Sequence, residues 1–169
     1  MTVSMYQVSV EPLMRALTNL DHLLDKAQAH VDAGNEDETT LLQYQLIADM
    51  YPFVKQVQIA CDKARSVVAR LAGVDVPYYA DDERTLAELK QRIAHSLEFL
   101  RAVRREQIDG TEDDAIVLPV TGQPTQYHGL KLLFEHSLPN VFFHSVTAYN
   151  ILRQNGVAVG KRDFLGKLP

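Results

Sequence analysis

Residues 49–73 read DMYPFVKQVQIACDKARSVVARLAG. Within this stretch Val54, Val57, Cys61, Ala64, Val68 and Leu71 recur at intervals of three and four, the spacing of one α-helical face. Pro52 stands where a helix can begin or kink, and Gly73 where a left-handed residue can close it. A helix apolar on one side cannot bury that side alone, and the rest of the chain supplies partners. Leu13, Leu17, Leu20, Leu24, Ala27 and Val31 predict a first helix from Pro12 to a stop at Gly34-Asn35. Leu86, Leu89, Ile93, Leu97, Leu100 and Val103 predict a third, with Asp81, Asp82 and Glu83 as favourable charges near its positive end. Leu130 to Gln154 predicts a fourth, with Pro139 inside it and Asn155-Gly156 as its cap. A turn or two of helix is expected around Leu41 to Ala48. Ile116, Val117, Leu118 and Val120 are β-prone and Thr121-Gly122-Gln123-Pro124 is turn chemistry, which predicts a small hairpin over residues 115–127. The expected fold is an all-α four-helix bundle with a small β-hairpin before its last helix, a single domain over residues 1–169.

The totals narrow the function. The 169 residues are 46% hydrophobic and 23% charged, a globular balance that excludes general disorder. A formal charge of −5 offers no general attraction to phosphate backbones or anionic lipid, so neither nucleic acid nor membrane is expected as a partner. No stretch reaches the roughly 18 apolar residues of a membrane span, and Met1 to Tyr6 lacks the basic-then-apolar pattern of a leader. Cys61 is the only cysteine, so no intramolecular disulfide can form and a reducing, cytoplasmic location is expected.

Phosphate loops, serine elbows and cysteine-rich zinc patterns are absent, which leaves the histidines. His22 and His95 lie about 200° around their helices from Leu20 and Ile93, at roughly 100° per residue, and should face solvent. His30 flanks its apolar face, and His128 sits at the hairpin-to-helix junction. His144 differs, because it falls amid Val141, Ala148 and Ile151 on the face that must point inward. Asn140 lies one turn before it and His136 two turns before, while Gln56 and Asp49, seven residues apart, share a flank of the second helix. These residues could bound a polar pocket between the two helices. Equally, His144 could be a core histidine whose hydrogen bonds Asn140 and Gln56 complete.

The motifs Asp49-Met50-Tyr51-Pro52, Gln56-Val57-Gln58-Ile59-Ala60-Cys61-Asp62, Leu138-Pro139-Asn140 and Gly160-Lys161-Arg162-Asp163-Phe164-Leu165-Gly166 run through the chain. Together they closely resemble an uncharacterised bacterial domain-of-unknown-function family of the DinB/YfiT-like metalloenzyme superfamily. The resemblance implies up-down-down-up connectivity and frequent dimerisation. It also implies a divalent metal held by one histidine on the second helix and a His-x-x-x-His pair on the fourth, in members some of which are thiol-dependent transferases or isomerases. In this sequence the pair falls on Asn140 and His144, and the second-helix position on Gln56. An amide offers only a weak carbonyl oxygen where imidazole would bind zinc or nickel, so no tight metal site is expected and His144 is the best single candidate ligand.

Two functions follow. One is a dimeric small-molecule-binding or interaction protein with a degenerate metal site. The other is a metal-dependent enzyme of thiol-transferase or isomerase type that uses His144 as acid, base or lone ligand. The pocket candidates for either are His144, Asn140, Gln56, His136 and Asp49.

Overall fold

The computed structural model describes residues 3–120 and 122–166. Thr121, within the expected hairpin turn, lies outside them. Helix α1 spans Met5–Asp32 and starts a full two turns before Pro12, because Ser4 and Gln7 form a reciprocal capping box that satisfies its first amides. Pro12 is carried inside the helix, where burial of Met5, Ser9 and Val10 one or two turns earlier holds the chain helical. Helix α2, Glu38–Gln43, is capped by Asp37 and ends earlier than its apolar pattern suggested. Helix α3, Phe53–Leu71, starts after Pro52, and helix α4, Leu86–Ala102, starts from a Thr85/Glu88 capping box. The acidic run at 81–83 therefore does not cap α4; Asp81 and Glu83 pair instead with Lys55, Arg92 and Gln58.

A short 3-10 turn, Arg105–Gln107, leads to strands β1, Ala115–Val120, and β2, Gln123–His128, paired antiparallel from Ala115↔His128 to Val120↔Gln123. The expected fourth helix is built in three pieces: α5, Gly129–Lys131, a π-helical stretch, Leu132–Ser137, and α6, Leu138–Gln154. Pro139 explains the division. It has no N–H to give, and the π stretch absorbs the defect just before it, with the Leu138 N–H reaching back to the Leu133 carbonyl. Helix α7, Lys161–Leu165, closes the chain.

In the bundle α1 packs against α4 and α6, and α3 against the same two. Lys90, early in α4, bonds Asp21 and Asp25, late in α1, so these helices are antiparallel. Gln58 and Asp62, in the first half of α3, bond Glu83 just before α4 and Arg92 within it, so α4 starts beside the first half of α3 and runs parallel to it. Gly129 abuts Leu71 at the end of α3, whereas His144 touches Gln56 near its beginning, so α6 returns against α3. The connectivity is thus up-down-down-up. It requires the 72–85 segment to travel the length of α3, and the side chains of α3 and α4 bind it along the way. One apolar cluster fills the interior, from Leu13, Leu17 and Leu20 through Phe53, Val57 and Ala64 to Leu89, Ile93, Val141 and Ile151. Among the described residues, no helix is long and apolar enough to cross a membrane.

The glycine-flanked closing motif is a clasp on α1. Asp163 accepts the Gly160 amide at 2.7 Å and His22 Nε2 lies 3.1 Å from its other oxygen. Asn19 donates to the Phe164 carbonyl at 2.9 Å and Arg15 to that of Leu165 at 3.1 Å. His22 thus faces outward as its helical angle requires, but it is tied to the clasp.

Candidate functional site

His144 projects from α6 and is 9% exposed, and its Nδ1 lies 2.7 Å from Gln56 Oε1 on α3. Gln56 Nε2 donates to the Tyr51 carbonyl at 2.8 Å, which fixes the amide orientation. Its oxygen must accept, so His144 Nδ1 carries the proton and Nε2 keeps the lone pair. Burial, with the Lys63 charge adding to it, holds the His144 pKa below the ordinary histidine value. The ring is therefore neutral at pH 7, and it stands edge-on to Phe143 with centroids 5.3 Å apart.

The other sequence candidates are distributed differently. Asn140 donates to the His136 carbonyl one turn back at 2.6 Å, so it completes a local helix bond and not the His144 network. His136 packs on Tyr127, centroids 5.8 Å apart, and burial followed by Lys63 lowers its pKa as well. Asp49 is not on the second helix: it lies exposed in the turn before Pro52, because the helical pattern begins only after that proline. Of the five, His144 and Gln56 are the pair whose side chains meet, among the described residues, while Asn140 reaches only the backbone of His136.

His144 lines a cleft of about 700 Å³ whose other walls come from α3 and the 72–85 crossover. Lys63, Arg65 and Ser66 face it from α3, and Pro77, Tyr78 and Tyr79 from the crossover. Arg65, 2% exposed, stacks its guanidinium 3.8 Å from the centre of the Tyr79 ring and pairs with Asp62. Arg92, 3% exposed, bonds Glu83 at 2.7 Å, Asp62 at 2.6 Å, Asp81 at 2.9 Å and the Ala80 carbonyl at 2.9 Å. Burial works against the Arg92 charge, but the bonds to Glu83 and Asp62 outweigh it and raise its pKa. Lys55 pairs with Asp81, so the carboxylates here are occupied, whereas Lys63 makes no ion pair among the described residues.

Sequence reasoning missed this arginine network. The trace was there: Arg65 follows Cys61 by four residues and Arg92 follows Leu89 by three, so both charges sit on apolar faces, where an arginine must be paired.

The metal implied by the superfamily pattern can be tested on the donors. Gln56 spends its oxygen on His144 and Asn140 its amide on the helix backbone, and among the described residues no three His, Cys, Asp or Glu side chains come together. The donor set does not fit a tight divalent site.

A family model described as Domain of unknown function (DUF1993) matches residues 5–165. The chain belongs to that family. A crystal structure of a DinB family member protein from Shewanella denitrificans is 41% identical to this DUF1993 chain, covers 97% of it and 93% of its own length, and superposes with a TM-score of 0.91. No curated protein matches the chain. The DinB-like fold of this DUF1993 member thus agrees with the resemblance read from its motifs.

The two histidines near Lys63 carry a pH dependence. Both His136 and His144 have folded pKa values below the unfolded value of about 6.5, so below that pH the unfolded chain binds more protons than the folded one. Stability should be fully present above about pH 6.5 and fall as pH drops through the window beneath it. Urea midpoints measured across this range should slope less in His144→Gln than in the parent. An equal slope would mean that His144 does not titrate as described.

Proposed function

We propose that this DUF1993 protein binds a small anionic molecule in the His144 cleft, as a homodimer in the reducing cytoplasm, with its superfamily metal position degenerate. The observation that supports the anion is the charge balance of the cleft. Arg65, Arg92 and Lys55 are matched by Asp62, Asp81 and Glu83, which leaves the Lys63 ammonium uncompensated beside two neutral histidines. A carboxylate or phosphate placed against Lys63 could also accept from Ser66, with the tyrosines offering apolar contact. Titration with benzoate and with inorganic phosphate, followed by amide shifts, should give saturable changes at 59–66 and 76–81 that Lys63→Met weakens about tenfold or more. No saturable change with either anion, or binding indifferent to Lys63→Met, would remove this reading.

The metal-dependent alternative draws its support from His144 itself, a neutral imidazole with its lone pair on Nε2 beside a cleft. It predicts one zinc or nickel per purified chain, lost in His144→Ala. The degenerate-site reading predicts substoichiometric metal, and tighter binding once Gln56→His and Asn140→His are introduced together.

The dimer draws support from the outer face of the last helical run, where Leu130, Phe134, Phe143 and Val146 are 42%, 50%, 56% and 39% exposed. An isologous pair of such faces would bury them against each other. Light scattering should give twice 19.0 kDa for the parent and one chain's mass for Phe134→Ser/Phe143→Ser; a monomeric parent would end the proposal.

A further inference from the structure

A second cavity, of about 230 Å³, lies on the other side of the bundle, between α1, α6 and the closing helix α7. Ala16, Leu20 and Leu23 line it from α1, Phe142 and Ser145 from α6, and Phe164 from α7, and it shares no lining residue with the His144 cleft. Its walls are mostly apolar: Arg15 and Asn19 line it with side chains bonded to the Leu165 and Phe164 carbonyls, and Ser145, 2% exposed, has no hydrogen-bond partner for its Oγ among the described residues. That isolation is unusual in this chain. Ser9, Thr18, Ser96 and Thr147 all turn their mid-helix hydroxyls onto the carbonyl four residues back, at 2.7 to 2.8 Å. Ser145 keeps its donor and acceptor unused beside an apolar space.

A water on this hydroxyl would find few of the two to four polar partners that a buried water needs, because the Asn19 amide nitrogen is already given to the Phe164 carbonyl. An apolar cavity of about 150 Å³ accommodates benzene, so this one has room for a ring with a short substituent. We infer that the α1–α6–α7 cavity is a binding site for a small neutral, mostly apolar molecule carrying one oxygen, of the alkylphenol or cyclic ketone class, with the buried Ser145 hydroxyl as the group that selects that oxygen. The outer wall is the clasp, held on α1 by the Asn19 and Arg15 bonds to the Phe164 and Leu165 carbonyls. Release of the clasp, with His22 also parting from Asp163, gives the molecule a way in without disturbing the four long helices.

The probes are 4-ethylphenol and ethylbenzene, which differ by the oxygen alone, added to the full chain and followed by amide shifts and calorimetry. In the parent, 4-ethylphenol should bind once per chain, shift residues 16–23, 145 and 164, and bind roughly three- to tenfold tighter than ethylbenzene. Ser145→Ala should abolish that preference while leaving ethylbenzene affinity and thermal stability unchanged or raised, since the alanine removes an unsatisfied hydroxyl. Ala16→Phe, which fills the cavity, should abolish both. Neither probe binding the parent, shifts confined to the His144 cleft, or a phenol preference that survives Ser145→Ala would each overturn the inference. Should Ala16→Phe not fold, the phenol-to-ethylbenzene ratio in Ser145→Ala decides alone.

Discussion

Arg92→Ala is expected to lower folding stability by about 3–5 kcal/mol, the usual cost of removing one partner of a buried charge network. Its guanidinium holds Glu83, Asp62, Asp81 and the Ala80 carbonyl at once, and Glu83 has almost no solvent to fall back on. The alanine leaves that carboxylate buried with only the Gln58 amide for company, and it opens a hole where the arginine stem was. The loss should be uneven across the molecule. Backbone order parameters over 76–83 should fall in the variant while those of α1 hold, because the network is what pins the crossover to α3 and α4. Urea unfolding and NMR relaxation measure the two quantities. A second variant, Arg92→Met/Glu83→Gln, should recover a good part of the loss by removing the stranded charge. A destabilisation below 1 kcal/mol for Arg92→Ala would mean that the crossover is held by something other than this arginine.

Gly129→Ala is the other large effect, on the order of 1–3 kcal/mol with the upper end expected. A Cβ at Gly129 would land on the Thr111 carbonyl oxygen and 3.1 Å from Leu71 Cδ2. A flexible side chain could yield, but this obstacle is backbone. The Thr111 amide and hydroxyl both bond the Ile108 carbonyl, and the segment is tied down again by Gly129 N–H to Asp114 and Leu130 N–H to Glu112. Either α5 moves off α3 or the 111–114 turn breaks. Gly73→Ala is the control: its φ of +65° is unfavourable for alanine but nothing lies within 4 Å, so it should cost only about 1 kcal/mol. Equal melting temperatures for the two variants would contradict the steric argument.

The contrast between these sites shows what the sequence made legible. Gly73 is readable because a helix pattern stops just before it, and the four long helices follow from apolar spacing that carries through 19 residues of α3 and 17 of α4. Gly129 is not readable, because the atom that forbids a side chain there comes from a turn 18 positions earlier. The inward His144 and its Gln56 partner were within reach of helical angles, since both lie well inside regular helix. Asp49 was misplaced because Pro52 interrupts the register next to it, and angular reasoning fails across a proline; Asn140 shares regular helix with His144, and its bond to the His136 carbonyl is a choice of rotamer that angles do not show. The early start of α1 was hidden because Pro12 is a stronger punctuation mark than the Ser4 and Gln7 cap that overrides it. The cleft escaped altogether, because half of it is a crossover with no periodicity to read.

The clasp has a consequence for the order in which the molecule is made. Asn19 and Arg15 bond carbonyls that lie 145 and 150 residues further along the chain, so the groups that close this face of α1 are synthesised only after all four long helices. Joining ends that far apart in a free coil would carry a sizeable closure entropy, although that cost grows only logarithmically with length. Once α6 has docked, the distance to be closed shrinks to the few residues after Gln154, because Gly156 already rests against the His30 ring. The clasp is therefore a finishing step. A chain whose α7 has not yet docked has its four long helices assembled with Leu20 and Leu23 uncapped, and in that state this face of α1 is open to chaperones and proteases.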